Sequence, residues 1–551
     1  MVKALINLKN SFIAVLFLLS CIPVFSQSYK ISHVEYKITG NTREYALQNK
    51  VKIDKNRTFS SIEDLEKYIY DVKTQIENTR VFDTVSINYE FDLNQTKTQD
   101  QNEPEEIQNY IEVTEDGKAL SSAQQNSDSN ISAVRLFIET KDSMHLLVVP
   151  YPKYDSNNGF SLRLKAKDTN FLGSMEEMSG DFNFKMKQDD EDSPTDYVFG
   201  LNFEFDIPFN ISKIAVESVN KIDVNYTIGK STPEWKLSSG LKFELPFERF
   251  SIKFNFTQSF IRDFEYSKYD DDTYFVEDAR FSVPMIIQKI DNWGNITYEP
   301  FVSGNLYWDF DGINELDNDL RSPILTIGQT LGTSRINWIE NFRSGLSISL
   351  TNSYGYNFDK DQFIPGISGE LKIFQSFKYF GFCSDIYAFA YMHNNENIGS
   401  RLRGIRDDVY FSKDYKDGAY AEEKACETPA AFVVSMDIPI KLFRVYWEDV
   451  PLINKIKFAR YFNMEVQISP FIDFALINNR ATKTDFYYKD GLYAGGLEVL
   501  VYPLKWKGIQ VRGSLGIDLG RKLPYVKGKL NQDWRKQASA YEISIGIGLQ
   551  Y

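Results

Sequence analysis

From about residue 145 to the C-terminus the chain alternates apolar and polar residues in short segments divided by Asp, Asn, Gly and Ser. FSLRLKAK at 160–167, VFGLNFEFDI at 198–207, FSIKFNF at 250–256 and YEISIGIGLQY at 541–551 are examples. A period of two marks a strand whose two faces meet different surroundings. In the last segment Tyr541, Ile543, Ile545, Ile547, Leu549 and Tyr551 share one face, and Glu542, Ser544, Gly546, Gly548 and Gln550 share the other. One face suits lipid and the other a polar lumen. A sheet in hydrocarbon must close, because an open edge leaves backbone groups without partners. A secreted sandwich also alternates, and so does a propeller, but no repeat of fixed period marks propeller blades. Mean hydropathy is −0.36. That excludes a polytopic helical membrane protein, but not a barrel whose alternating strands average out as hydrophilic. The 42 Phe and 33 Tyr also favour strands. The fold class read here is mainly β, an antiparallel transmembrane β-barrel over 145–551, with about 17–18 strands counted along the sequence and an even number expected.

The N-terminus reads as an export signal over 1–26. Lys3 and Lys9 precede the short apolar run Ser11 to Ile22, and Val24-Phe25-Ser26 offers a cleavage site. Leu18-Leu19-Ser20-Cys21 also loosely fits a lipoprotein signal, which would acylate Cys21. Cys383 and Cys426 remain after cleavage, and spacing does not decide whether they pair.

A small α/β domain over 27–144 comes first. Residues 29–40 alternate as a strand, 43–50 can form a short helix, and Ile62, Leu65, Tyr68, Ile69, Val72 and Ile76 place one apolar stripe on a helix over 61–79. Strands at 81–91 and 131–140 complete a β-α-α-β-β order. Between them lies an acidic, Gln- and Asn-rich insertion at 93–130. It has too little apolar surface to offset its ordering entropy and is expected to be disordered.

That order resembles a POTRA domain, with Thr79-Arg80-Val81-Phe82-Asp83 similar to the turn that usually carries glycine where Arg80 stands. Four further places resemble the BamA/TamA family of outer-membrane insertases and translocases. Asp168-Thr169-Asn170-Phe171-Leu172-Gly173 resembles the turn of the opening hairpin. Leu402-Arg403-Gly404-Ile405, within a long polar stretch at 393–428, resembles the tip motif of the sixth outer loop, with Ile405 in place of an aromatic. Ala430 to Ile440 resembles the strand that follows, and Ser469-Pro470-Phe471-Ile472-Asp473 the strand carrying an acid. Val511-Arg512-Gly513 matches the loop motif's letters but sits inside an alternating segment. The resemblance implies 16 strands, five of them after the loop. It also implies that the loop folds into the lumen with Arg403 paired to Asp473, and that the strand ending Ile545, Ile547, Leu549, Tyr551 closes the barrel on the 145–153 strand.

A net charge of −14 argues against a nucleic-acid surface. His33, His145 and His393 are far apart, and neither a nucleophile elbow nor a phosphate loop occurs. No enzyme activity, cofactor or metal is expected. The resemblance implies outer-membrane localisation with the α/β domain in the periplasm, lipid and unfolded client proteins as partners, and chaperones or accessory lipoproteins as further candidates. Insertion or export of client proteins is the leading function. A passive porin-like channel and a specialised exporter of one protein or lipid are the alternatives.

Overall fold

The computed structural model describes residues 28–91, 131–155, 159–187, 196–262, 273–290, 294–309, 323–405, 410–411, 425–451, 453, 455–456, 458–523, 529–536 and 540–547. The signal peptide, the 93–130 insertion, Arg406, Leu549 and Tyr551 lie outside them. The chain divides into two compact units.

The first unit holds residues 28–39, 48–76, 84–91 and 131–141 of those described. Its sheet runs Thr58–Phe59, Ser28–Thr39, Ile131–Asp142, Phe82–Phe91, with the two central strands parallel. The helix Ile62–Asn78 follows the predicted stripe and buries Leu65, Ile69, Val72 and Ile76. Its first turn is capped by the Ser61 hydroxyl, which accepts from the Asp64 N–H at 3.1 Å. Tyr89 is buried in the sheet and donates to Glu66 of the helix at 3.0 Å.

The second unit gathers 142–551 with the short segments 40–47 and 77–83. It is a closed antiparallel sheet in which Tyr541–Ile547 lies beside Leu146–Asp155. Twenty-one segments follow one another around it. Thr273–Ser282 and Met285–Ile290 are halves of one broken strand, as are Ala430–Asp437 and Ile440–Val445, and Thr484–Asp485 is a short hairpin return. Among the described residues the wall therefore has eighteen strands, thirteen before the 393–428 loop and five after it. The five are those expected; the total of 16 implied by resemblance is corrected to eighteen. The motifs that carry the resemblance fix the chain from the loop onward, whereas the hairpins before it bear no motif that counts them.

The period of two sorts the wall's side chains. On Met464–Asn479 every second residue from Glu465 to Asn479 is buried towards the inside, while Ile472 faces out and is exposed. Phe254, Phe256, Leu325, Ile327, Ile348 and Leu350 give other strands an exposed apolar outer face. At the entry hairpin Asn170, fully buried, accepts from the Met175 N–H at 2.9 Å and closes the Asp168–Gly173 turn. His145 bonds Asp168 at 2.7 Å. Arg80 has φ +55, a left-handed conformation that a glycine would adopt freely. Within the second unit its guanidinium donates to the Glu340 and Lys507 carbonyls and stacks on Trp338 at 4.1 Å.

Candidate functional site: the lumenal loop anchor

The described parts of the 393–428 loop, 393–405, 410–411 and 425–428, include residues packed inside the barrel. Its two arms pair at Glu396–Asn397 and Glu427–Thr428. Between them Gly399–Arg401 makes one tight turn, and Leu402 is extended. Ile398, Leu402 and Ile405 are almost wholly buried. They pack with Phe389, Val433, Ala475, Ile477 and Leu492 of the wall into an apolar cluster inside the lumen. Apolar residues on both sides of Arg403 thus hold the backbone at a fixed depth, and the departure at Ile405 is absorbed by this cluster.

Arg403 is 6% exposed and Asp473 0%. The guanidinium forks onto that carboxylate, Nε to Oδ2 at 2.9 Å and Nη2 to Oδ1 at 2.6 Å. The Arg403 backbone N–H adds a third bond to Oδ2 at 2.9 Å. Nη1 donates to Asp437 at 2.6 Å and lies 3.6 Å from Glu498. The Phe471 ring sits 3.8 Å from the guanidinium carbon, so its face meets the cation. Strand register produces the arrangement. Asp473 is opposite Ser435 and Ala494, which leaves open space at its inner side, and two residues along the same face brings Phe471 beneath the arginine. Only a planar fork with several donors can serve two carboxylates in this geometry.

Gly404 has φ +98. A Cβ there would stand 2.5 Å from the Ile517 nitrogen, and one on Gly516 would stand 2.5 Å from the Gly404 nitrogen. The tip therefore rests backbone to backbone on the strand Val511–Asp518. The Gly404 N–H donates to Glu542 at 2.7 Å, which attaches the tip to the closing strand as well. Tyr541, Ile543 and Ile545 of that strand face outward, and the Ile547 backbone is registered opposite Val511. Arg401 goes elsewhere, to Glu370 at 3.1 Å, with Tyr387 beneath it at 3.7 Å.

The structure adds participants that the sequence did not disclose. Asp437 and Glu498 surround the same guanidinium, and Glu542 holds the tip. Arg512, from the segment that mimics the loop motif, is a wall residue 3.5 Å from Glu498. Residues 534–536, after Asp518, also lie inside. Tyr410–Phe411 pairs with Arg535–Lys536, Trp534 is fully buried in the same apolar cluster, and Arg535 meets Asp518 at 2.8 Å with both enclosed. Their one signal was Trp534-Arg535 inside a polar stretch. Cys383 and Cys426 are buried free thiols. Among the described residues no group of three His, Cys, Asp or Glu is placed to hold a metal.

The fold and site define a closed, even-stranded β-barrel whose lumen holds an anchored loop. No family model and no curated protein matches the sequence. Among solved structures the chain is similar to CdiB from Acinetobacter baumannii, with 10% identity, 94% of this chain and 74% of that one covered, and a TM-score of 0.42. It is also similar to BamA from Haemophilus ducreyi lacking POTRA domains 1–3, with 10% identity, 94% and 84% covered, and a TM-score of 0.34. A third is CdiB from Escherichia coli, with 8% identity, 96% and 91% covered, and a TM-score of 0.37.

Proposed function

We propose that the chain is an outer-membrane factor of the BamA/TamA kind that inserts or exports client proteins. The observation that carries this reading is the loop tip. A barrel built only to pass solutes has no need to seat an arginine on a buried acid of one strand while the next glycine is bonded to the closing strand. Holding the loop tip inside a wide barrel costs entropy that the anchor offsets. The outward apolar residues and inward polar ones suit a wall in lipid. The α/β unit is read as a periplasmic POTRA-like domain whose sheet edge offers main-chain hydrogen bonds to an extended client. Client folding, rather than a nucleotide, supplies the drive.

Export through the lumen is the second reading, and one feature favours it. Away from the anchored loop, the wall has a hollow of about 340 Å³ whose lining includes Asn255, Thr257, Asp278, Arg280, Ser303 and Asn305. Such side chains suit an extended polar chain. Depleting the protein and comparing outer-membrane and secreted proteomes tests both. Broad loss of folded barrels supports insertion, and loss of one secreted substrate supports export. An unchanged proteome with altered solute permeability would leave a passive channel.

A further inference from the structure

One connection at the end where the chain enters the barrel differs from its neighbours. Ile211 reaches Ile214 through two residues, and Ile339 reaches Phe342 through two. Val445 reaches Met464 only after eighteen. This crosspiece contains two tight turns, Trp447–Asp449 and Ala459–Phe462. They are fastened to each other, because the Trp447 indole donates to the Phe462 carbonyl at 2.8 Å and its N–H to Asn463 at 2.9 Å. Within it Ala459 and Asn463 are buried. Its other side presents Tyr446, Ile456, Phe458 and Phe462 to the outside, Phe458 at 62% exposure. Two turns fastened to each other in this way would not hold four large apolar groups in water without an occupant.

We propose that this crosspiece is an interfacial lipid-binding element, seated at the headgroup–acyl boundary of the leaflet at the entry end. The proposal rests on reading the barrel as membrane-spanning. Continuity chooses lipid as the occupant. The exposed outer residues Ile440, Leu442 and Phe443 run straight into Tyr446. The neighbouring turn carries a second exposed aromatic group, with Phe377 and Phe380 stacked at 4.6 Å, and is bonded to this strand through Lys441 N–H to the Tyr379 carbonyl at 2.8 Å. Tyrosine and phenylalanine interleaved with Lys378 and Lys455 make the composition of an interfacial belt, in which rings lie at the boundary and cations reach the headgroups. The crosspiece is also coupled to the seam. Phe462 lies 5.8 Å from the Trp506 ring, and the Trp506 indole donates to the Leu146 carbonyl at 2.9 Å, where the first barrel strand begins. Lipid packing against the crosspiece therefore bears on the support of that strand.

The test uses the full-length mature chain in phosphatidylethanolamine–phosphatidylglycerol vesicles, with a bimane label on Phe458→Cys or, separately, Ile456→Cys. Cys383 and Cys426 are buried and do not compete for label. Ile472→Cys, on the outer face of a wall strand, is the control. The proposal expects quenching by spin-labelled lipid at a depth of roughly 5–10 Å within the boundary, and protection from aqueous iodide. Iodide quenching at 456 and 458 with lipid quenching at 472 overturns the crosspiece proposal and leaves the barrel in the membrane; the face would then await a protein. Absence of lipid quenching at 472 itself overturns the membrane reading on which the proposal stands.

Discussion

Removing the Arg403 guanidinium should be the most damaging single change inside the lumen. Asp473 would lose all its side-chain donors from the loop, and Asp437 the one at 2.6 Å, with both residues at most 6% exposed. Leaving a buried charge without its partner costs roughly 3–5 kcal/mol. Asp473→Ala should cost less, about 2–3 kcal/mol, because Arg403 keeps Asp437 at 2.6 Å and Glu498 at 3.6 Å while losing charge-assisted bonds. In the double variant the stranded Asp473 charge is gone as well. Its cost should therefore not exceed that of Arg403→Ala alone, a coupling of at least about 2–3 kcal/mol. Arg403→Lys should recover little, since an ammonium cannot fork onto Asp473 and reach Asp437 together. The assay is the urea dependence of the compact form seen on unheated gels, with protease sensitivity of the 393–428 loop read in parallel. Costs that add within about 0.5 kcal/mol would refute the reasoning, for the two side chains would not be acting as a pair.

Gly404→Ala and Gly516→Ala should each lift the loop tip, because a Cβ at either position meets backbone at 2.5 Å and position 404 also has φ +98. Both should raise protease sensitivity of the loop while Gly513→Ala, whose Cβ meets nothing within 4 Å, does not. In the first unit, burial and the neighbouring Glu66 carboxylate raise the Tyr89 pKa above its ordinary 10.0. A raised folded-state pKa contributes stability that is complete below the ordinary value and is lost as pH rises above it. The urea midpoint for unfolding of the sheet should therefore fall above about pH 10, and Tyr89→Phe should flatten that dependence. Protease added to intact cells should spare residues 28–91; cleavage there with the outer membrane sealed would reverse the orientation.

How much of this was legible before the structure depended on distance along the chain. Local periodicity located the Ile62–Asn78 helix to within a residue at each end, and alternation along Met464–Asn479 assigned Phe471 and Asp473 to one face. Resemblance proposed Arg403 and Asp473 as partners across seventy residues. Asp437 and Glu498 were hidden because alternation says which face an acid occupies but not which strand stands opposite it. Glu542 looked like one more inward polar residue until the tip was seen to lie against its strand. Trp534 and Arg535 were hidden for a different reason. A polar segment between two strands reads as an outer loop, and only the pairing with Tyr410–Phe411 shows it returning inside. The strand total failed because hairpins without motifs can be added in pairs while the alternation and the even parity stay intact.

The central claim is that the anchored loop serves protein assembly or export, and complementation tests it most directly. Cells depleted of the protein would be supplied with the wild-type chain, Arg403→Lys or Gly404→Ala, each adjusted to the same amount of folded barrel. The outer-membrane and secreted proteomes would then be compared. The account predicts that both variants fail to restore the proteins lost on depletion although their barrels are folded and present. Full restoration by both would contradict it, because the loop anchor would then have no part in handling client proteins.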